Sequence, residues 1–440
     1  MTRYASPSAC APALRIAMLV ANTGVGDARV MKQAESLVAA GHSVTVFCLA
    51  GNGLAPEDTQ AGVRYVRLGE WHRGAAAAVS GGGAAPPHNL IRRLKTAAAP
   101  FIQHALHTAT FTRPVAAFAP DVVHAHDFEC LPAAVSAARR CGARVIYDMH
   151  ELEEGRLPAA GPLAARWKAH IERSALRRVA ATITVSPSIA THTARKQGIP
   201  LPTVILNAPR LSTAAATQPG LRERCGLAAS VPLAVYVGIA SPGRGIEQLV
   251  AALALTPELH LAMLGPIRPA LRPLLEREAA RLGGRLHLLT PVPHDEVVAH
   301  IASADFGVAT IPGSCLNYEY CLPNKLFEMT FAGLPVLVSR TTELLRFVAE
   351  TGTGIAVDAL DPAAIAQGLR AVYAARASLA PTGSKLEALR ARFGWQRQAE
   401  HLIALYHAVA RGPRGLPAAM ARRALAATGP RPRHVFAVGN

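Results

Sequence analysis

The chain has 440 residues, half of them hydrophobic, and carries 46 Lys and Arg against 29 Asp and Glu for a net charge of +17. That length is too great for one compact core and predicts two domains plus tails, while the charge calls for an anionic partner: nucleic acid, an acidic membrane surface or a phosphorylated substrate. Aromatics are sparse and no nucleic-acid reader motif is present, which speaks against nucleic acid, and seven cysteines with no C-x-x-C pair point to a reduced, cytoplasmic setting.

The first apolar stretch, Ile16 to Ala21, is short and follows Arg15, so it resembles a buried strand better than a signal peptide. No stretch is long and uncharged enough to span a bilayer, so any membrane contact is expected to be peripheral, at the inner face. From Leu14 the pattern is a strand over Ile16 to Val20, a glycine-bearing turn, a helix with Val30, Ala34, Leu37 and Val38 on one face, and a strand over Val44 to Cys48. This βαβ unit starts a parallel sheet. Further strands are predicted at Val63 to Leu68, Val122 to His124, Arg144 to Tyr147 and Thr182 to Val185. Arg73 to Pro87 is Ala- and Gly-rich and reads as flexible. The stretch 89–107 sets Arg92, Arg93 and Lys95 beside Leu90, Ile91, Leu94, Phe101 and Ile102, and either docks on anionic lipid or packs as a surface helix.

After Ile205-Leu206-Asn207-Ala208-Pro209 the alternation stops, then resumes with a strand at Leu233 to Val237 and a helix with Ile246, Leu249, Val250 and Leu253 inward. Strands at His260 to Leu264, His287 to Leu289, Phe306 to Thr310 and Val336 to Val338 complete a second sheet. The fold class is therefore α/β, with two Rossmann-like, doubly wound parallel-sheet domains expected to face a cleft. The first spans 14–209, a linker 210–231, and the second 232–392. Residues 393–411 follow, and the order of a basic tail over 412–440 is left open by its composition. In such sheets ligands sit beyond the carboxyl ends of the strands.

The turn Asn22 to Arg29 contains Gly24 and Gly26 but departs from the dinucleotide fingerprint: Arg29 replaces its third glycine, and Cys48 and Leu49 stand where an acidic residue is expected. The two glycines are read as letting a substrate approach the backbone. Asp121-Val122-Val123-His124-Ala125-His126-Asp127 puts two histidines on one strand face with Asp127 on the other, so no metal set is assembled; His124 reads as structural and His126 as reaching substrate. The next strand ends in Asp148-Met149-His150-Glu151. In the second half, Arg244 ends a glycine turn and is either placed to fork onto a diphosphate or a surface arginine. Pro323-Asn324-Lys325-Leu326-Phe327-Glu328 opens a helix whose first-turn amides and Lys325 favour an anion, with Glu328 one turn on, placed to accept from ribose hydroxyls. Read by itself, it is slightly better explained as an ordinary capped helix with a solvated lysine and glutamate.

These segments, together with Val185-Ser186-Pro187-Ser188 and Gly238 to Gly245, resemble in order and spacing glycosyltransferase family 4, retaining enzymes of the GT-B fold that use sugar nucleotides. The resemblance covers about Leu14 to Val409, and the region around Trp395 to Tyr406 looks like the family's closing helix, which implies a helix over 393–411 returning towards the first domain. It implies that the second domain binds a UDP- or GDP-type sugar as co-substrate and the first binds a glycan or lipid-linked acceptor, in cell-surface polysaccharide synthesis. Glu328 matches the second glutamate of the family's Glu-x7-Glu motif; Tyr320 stands at the first, with Glu319 one place away. The family's phosphate-binding pair falls on Ile239 and Arg244, so Lys325 is expected to supply the missing charge. The donor site is thus assigned to Gly238, Arg244, Glu319, Tyr320, Asn324, Lys325, Leu326 and Glu328. The substrate side of the first domain is assigned to Gly24, Gly26, Arg29, His126, Asp127, Asp148, His150 and Glu151.

Catalysis is assigned to His126, Arg244, Lys325 and Glu328, with neither a metal nor a further cofactor: cations and a helix N-terminus would stabilise the departing diphosphate. Two rival readings share the sequence: a non-hydrolysing sugar-nucleotide epimerase, and a catalytically silent scaffold of polysaccharide assembly.

Overall fold

The computed structural model describes residues 12–70, 90–155, 161–211 and 219–412. The expected flexible stretch 73–87 and all but the first residue of the 412–440 tail lie outside them. The chain divides into two units that exchange segments. Among the described residues, those up to Val185, Ala190–Ile205 and 399–412 form the first; Ser186–Ile189 and those from Leu206 to Gln398 form the second. The exchange points at 205–206 and 398–399 differ from the sequence-based bounds at 209–210 and 392–393, because compactness is decided by contacts rather than by where the strand pattern fades.

In the first unit β1 (Arg15–Leu19), β2 (Ser43–Ala50), β3 (Glu57–Gln60), β4 (Val63–Glu70), β5 (Val122–His126), β6 (Arg144–Met149), β7 (Ala181–Thr184) and β8 (Thr203–Val204) form one sheet in the order β3-β4-β2-β1-β5-β6-β7-β8. All neighbours are parallel except β3 and β4. Those two form a hairpin through Ala61 (φ 49°) and Gly62 (φ 79°), the paired positive φ values of a tight β-hairpin turn. The alternating apolar faces of β1, β5 and β6 pack Leu19, Val123, Ala125, Tyr147 and Met149 into one core. The β5–β6 register sets His126 directly beside Asp148.

The second unit is wholly parallel: β9 (Leu233–Val237), β10 (His260–Leu264), β11 (Leu286–Leu289), β12 (Phe306–Ala309), β13 (Val336–Ser339) and β14 (Gly354–Val357) run in the order β11-β10-β9-β12-β13-β14. The strand order reverses between β9 and β12, the place where open α/β sheets bind ligands. The helix predicted after β9 spans Ile246–Ala254 and buries Ile246, Leu249, Val250 and Leu253. The helix Asn324–Phe331 follows β12 and is anchored by aromatic packing. Phe327 meets Phe347 edge-on at 5.8 Å and Phe393 at 5.9 Å, pairs worth about 0.5–1.5 kcal/mol each beyond the area they bury. That packing fixes where the helix's first turn points.

Candidate active site

The first unit assembles its polar site on the helix Ala28–Ala39 and the ends of β5 and β6. Arg29 and Gln33, one turn apart, are both buried and both reach Asp148. Arg29 Nε donates to Asp148 Oδ2 at 2.9 Å and Nη2 to Oδ1 at 2.8 Å, while Gln33 Nε2 donates to Oδ2 at 2.7 Å. Arg29 Nη1 donates to the Ile205 carbonyl at 2.9 Å. Burial would raise the Asp148 carboxyl, but Arg29 and His150 outweigh it and hold it well below the usual carboxylate range. Arg29 and Asp148, assigned from sequence to substrate, therefore serve each other: every nitrogen of the guanidinium and both carboxylate oxygens are occupied.

His126 and His150 stand beside this pair. His126 Nδ1 lies 3.1 Å from His150 Nε2 and 3.7 Å from Asp148 Oδ2. Asp127 holds the other side of His150: its Oδ2 is 3.3 Å from Nδ1, and its Oδ1 accepts from the His150 backbone N–H at 3.3 Å. Strand alternation would have sent Asp127 away from the histidines. The strand ends at His126, however, and Asp127 takes φ 60°, a left-handed conformation that aspartate tolerates better than most residues. Burial pushes His150 down, yet the Asp127 and Asp148 carboxylates more than offset it and bring it up to about 9. His126 is driven well below its ordinary value by burial and by its histidine neighbours, so it is neutral. Its Nε2 is buried and has no hydrogen-bond partner among the described residues.

His124, read as structural, is fully buried, bonds Tyr406 Oη through Nδ1 at 2.8 Å and stacks on His126 at 4.2 Å. Ligand atoms of His124, His126 and Asp148 lie within 4.8 Å of one another. The Arg29 guanidinium occupies both Asp148 oxygens and Tyr406 the His124 Nδ1, while the Nε2 atoms of His124 and His126 are buried with no hydrogen-bond partner among the described residues. Gly24 (φ 74°) is required by its turn and by the Cys48 and Tyr65 side chains that a Cβ would touch, while a Cβ at Gly26 would meet open space. Glu151 follows His150 half-buried.

In the second unit Lys325 is the central feature. It is 6% exposed, its Nζ sits 3.5 Å from the centre of the Tyr236 ring, and that nitrogen has no hydrogen-bond partner among the described residues. Burial first, then the Arg244 guanidinium, pushes its ammonium down to about 7, against the pull of Glu328 and Cys321. Gly238 (φ 101°) ends β9 beside it, and a Cβ there would lie 4.0 Å from Lys325 Nζ. Gly245 cannot carry a side chain either, since a Cβ would collide with the Thr310 carbonyl. Gly238, Arg244, Lys325 and Glu328 are thus gathered where the strand order reverses, with Asn324 opening the helix.

Other assigned residues are placed differently. Leu326 is fully buried and its N–H is bonded to the Pro323 carbonyl, so it belongs to the core rather than to an anion site. Glu319 Oε1 accepts from the Thr342 N–H at 2.9 Å and from its hydroxyl at 2.5 Å, capping the helix Thr342–Thr351. The Tyr320 carbonyl accepts from Ser186 Oγ at 2.7 Å. A pocket of about 720 Å³ opens among Arg340, Thr341, Asp358 and Gln367; of the assigned residues it shares only Glu319. Sequence reasoning missed Gln33, Tyr236 and Tyr406. Gln33 had a signal, its helical spacing from Arg29; the tyrosines had none.

Two family models match the chain in tandem. One, a glycosyl transferase 4-like domain, covers residues 24–208; the other, glycosyl transferases group 1, covers residues 231–375. The D-inositol 3-phosphate glycosyltransferase of Xylanimonas cellulosilytica is 30% identical over 203 residues, 45% of this chain and 47% of that protein. The chain spans about half the length of the curated relatives it matches. Sucrose-phosphate synthase from Thermosynechococcus elongatus superposes with a TM-score of 0.66 at 20% identity, covering 89% of this chain and 98% of that one. Anabaena HepE in complex with UDP-glucose does so with a TM-score of 0.60 at 15% identity, covering 89% and 99%. These likenesses show the fold, two parallel-sheet α/β domains of GT-B type.

Proposed function

We propose, from the premise that the chain belongs to the family-4-like glycosyltransferases of the GT-B fold, that it moves a sugar from a nucleoside diphosphate sugar to a glycan or lipid-linked acceptor. The observation that carries this reading is the buried Lys325 ammonium, without a hydrogen-bond acceptor among the described residues, beside Arg244 and the Gly238 turn. A buried cation left without an acceptor is costly, and a diphosphate is the ligand that would relieve it. Asn324 and the helix N-terminus add amides and a favourable dipole, and Glu328 one turn on accepts from ribose hydroxyls.

In the reaction the bond from the sugar's anomeric carbon to the diphosphate oxygen breaks and a bond to the acceptor hydroxyl oxygen forms on the same face. The acceptor's proton passes to the departing phosphate. Same-face attack makes the mechanism retaining, and Arg244 and Lys325 stabilise the charge that develops on the phosphate in place of a metal ion. His126 contacts the donor sugar or the acceptor.

The acceptor is placed in cell-surface polysaccharide synthesis at the cytoplasmic side of an anionic membrane. In support, the helix Leu90–Phe118 contains Arg92, Arg93, Lys95 and Arg113 but no acidic residue, and exposes Ile102 and Leu106. No helix of the described residues is long and apolar enough to cross a membrane.

The test is a panel of UDP-, GDP- and ADP-sugars screened by thermal shift, followed by product analysis with lipid-linked acceptors. Saturable stabilisation by one nucleotide, then release of its diphosphate with a glycosylated acceptor of unchanged anomeric configuration, is expected. An altered sugar nucleotide formed without acceptor would make the protein an epimerase, and no nucleotide binding at all would make it a scaffold.

A further inference from the structure

We propose that His150 is a positioning residue: it donates its Nε2–H to His126 Nδ1 and thereby fixes His126 in the tautomer that carries its proton on Nε2. The inference rests on the reading above only in assigning the fixed N–H to the sugar or the acceptor.

A neutral imidazole has one donor and one acceptor nitrogen, and which is which follows from the partner at the other end. His126 Nδ1 has two neighbours within reach, His150 Nε2 at 3.1 Å and Asp148 Oδ2 at 3.7 Å. If His150 Nε2 carried no proton, His126 Nδ1 would have to donate and its Nε2 would become an acceptor. Three observations decide against that. Asp127 grips His150 twice, through the ring Nδ1 and the backbone N–H, both at 3.3 Å. Asp148 Oδ2 lies 3.5 Å from the His150 Nε2, so a carboxylate faces each ring nitrogen. Asp127 also holds φ 60° at the junction of β5 and its helix, a conformation outside the common regions for a non-glycine residue, and here it aims the carboxylate at His150. With a carboxylate on each side, His150 keeps both protons, in keeping with its upward displacement to about 9. Arg29, the remaining charged group facing it, opposes that displacement but is itself neutralised by Asp148.

The consequence lies at the far side of His126. Its Nε2–H is buried with no partner among the described residues, an unfavourable state when nothing answers it. A donor whose direction is set by Asp127, His150 and His126 in series is suited to a hydroxyl or ring oxygen of a sugar. It is unsuited to take a proton from an acceptor, because Nδ1 is already engaged and a second positive charge would stand beside His150. His126 then orients or polarises substrate rather than acting as a general base.

The experiment is a long-range proton–nitrogen correlation spectrum of the full chain labelled with 15N-histidine at pH 7.5, with His150→Asn and Asp127→Asn used to assign the two rings. The expected parent spectrum shows His150 with both nitrogens protonated and His126 with only Nε2 protonated. In Asp127→Asn, which keeps the side chain's shape, His150 should lose its extra proton and the Nδ1–H form of His126 should become populated. Transfer turnover should fall about 10- to 100-fold in His150→Asn with nucleotide affinity unchanged within about twofold, and recover partly in His150→Gln, whose amide can donate to His126 Nδ1. A parent His126 protonated on Nδ1, or a tautomer unmoved in both variants, would overturn the proposal. The spectrum decides this whether or not transfer is found, so failure of the proposal is distinct from failure of the transferase reading.

Discussion

Each unit gathers a partly buried charged cluster at the ends of its parallel strands, and the two clusters are balanced in opposite ways. In the first, two cations, Arg29 and His150, meet two carboxylates, Asp148 and Asp127, at 2.8–3.5 Å. In the second, Lys325 and Arg244 stand close enough to depress the lysine, with one carboxylate, Glu328, acting against them. A balanced cluster holds itself together and can set the geometry of a neighbour. An unbalanced one is a cost to the empty protein that an anionic ligand offsets.

Breaking the balanced cluster should have the largest effect. Arg29→Met leaves Asp148 buried without its partner and should cost about 3–5 kcal/mol, lowering Tm by roughly 6–10 °C in a melt. Lys325→Met should do the reverse: Tm unchanged or raised, and affinity for a nucleoside diphosphate weakened about 10- to 100-fold by calorimetry. If Lys325→Met destabilised the protein as Arg29→Met does, the contrast would fail.

The pH dependences should also run in opposite directions. His150 holds its proton up to about 9 in the folded chain and to 6.5 unfolded, so its contribution to stability is complete below 6.5 and is lost as pH rises through 9. Lys325 loses its proton near 7 when folded but near 10.5 when unfolded, so stability rises with pH across that window. In Tm measured from pH 6 to pH 9, His150→Asn should therefore remove a falling contribution and Lys325→Met a rising one. The smallest effect is expected at Glu319→Gln, which weakens the cap on the helix Thr342–Thr351. It should cost about 1 kcal/mol of stability and leave nucleotide affinity nearly unchanged, sharpening the line between groups that hold the fold and groups that wait for ligand.

Much of the fold was legible because period-two apolar runs and glycine turns are local signals. Strands β9 and β10 fall where the pattern puts them. Three of the four edge strands escaped: Glu57–Gln60 is polar throughout, Thr203–Val204 is two residues long, and Gly354–Val357 pairs at one edge of its sheet. For the site, the sequence named Arg29, His126, Asp148, Lys325 and Glu328, since these are ionisable residues at strand ends and helix starts. It could not say which of them bind one another. That Arg29 is spent on Asp148, and Glu319 on Thr342, depends on side chains 119 and 23 residues apart in the chain. Leu326 was carried into the donor site by its motif neighbours, although its side chain faces the core.

The most direct test of the central claim, that the second unit holds a nucleoside diphosphate on an unbalanced buried cation, is calorimetric titration of UDP, GDP and ADP at pH 8 in two buffers of different ionisation enthalpy. The account predicts saturable binding of one nucleotide with uptake of close to one proton, because a phosphate restores the charge on Lys325, and loss of that uptake in Lys325→Met. Binding without proton uptake and unchanged in Lys325→Met, or no binding by any of the three, would contradict it.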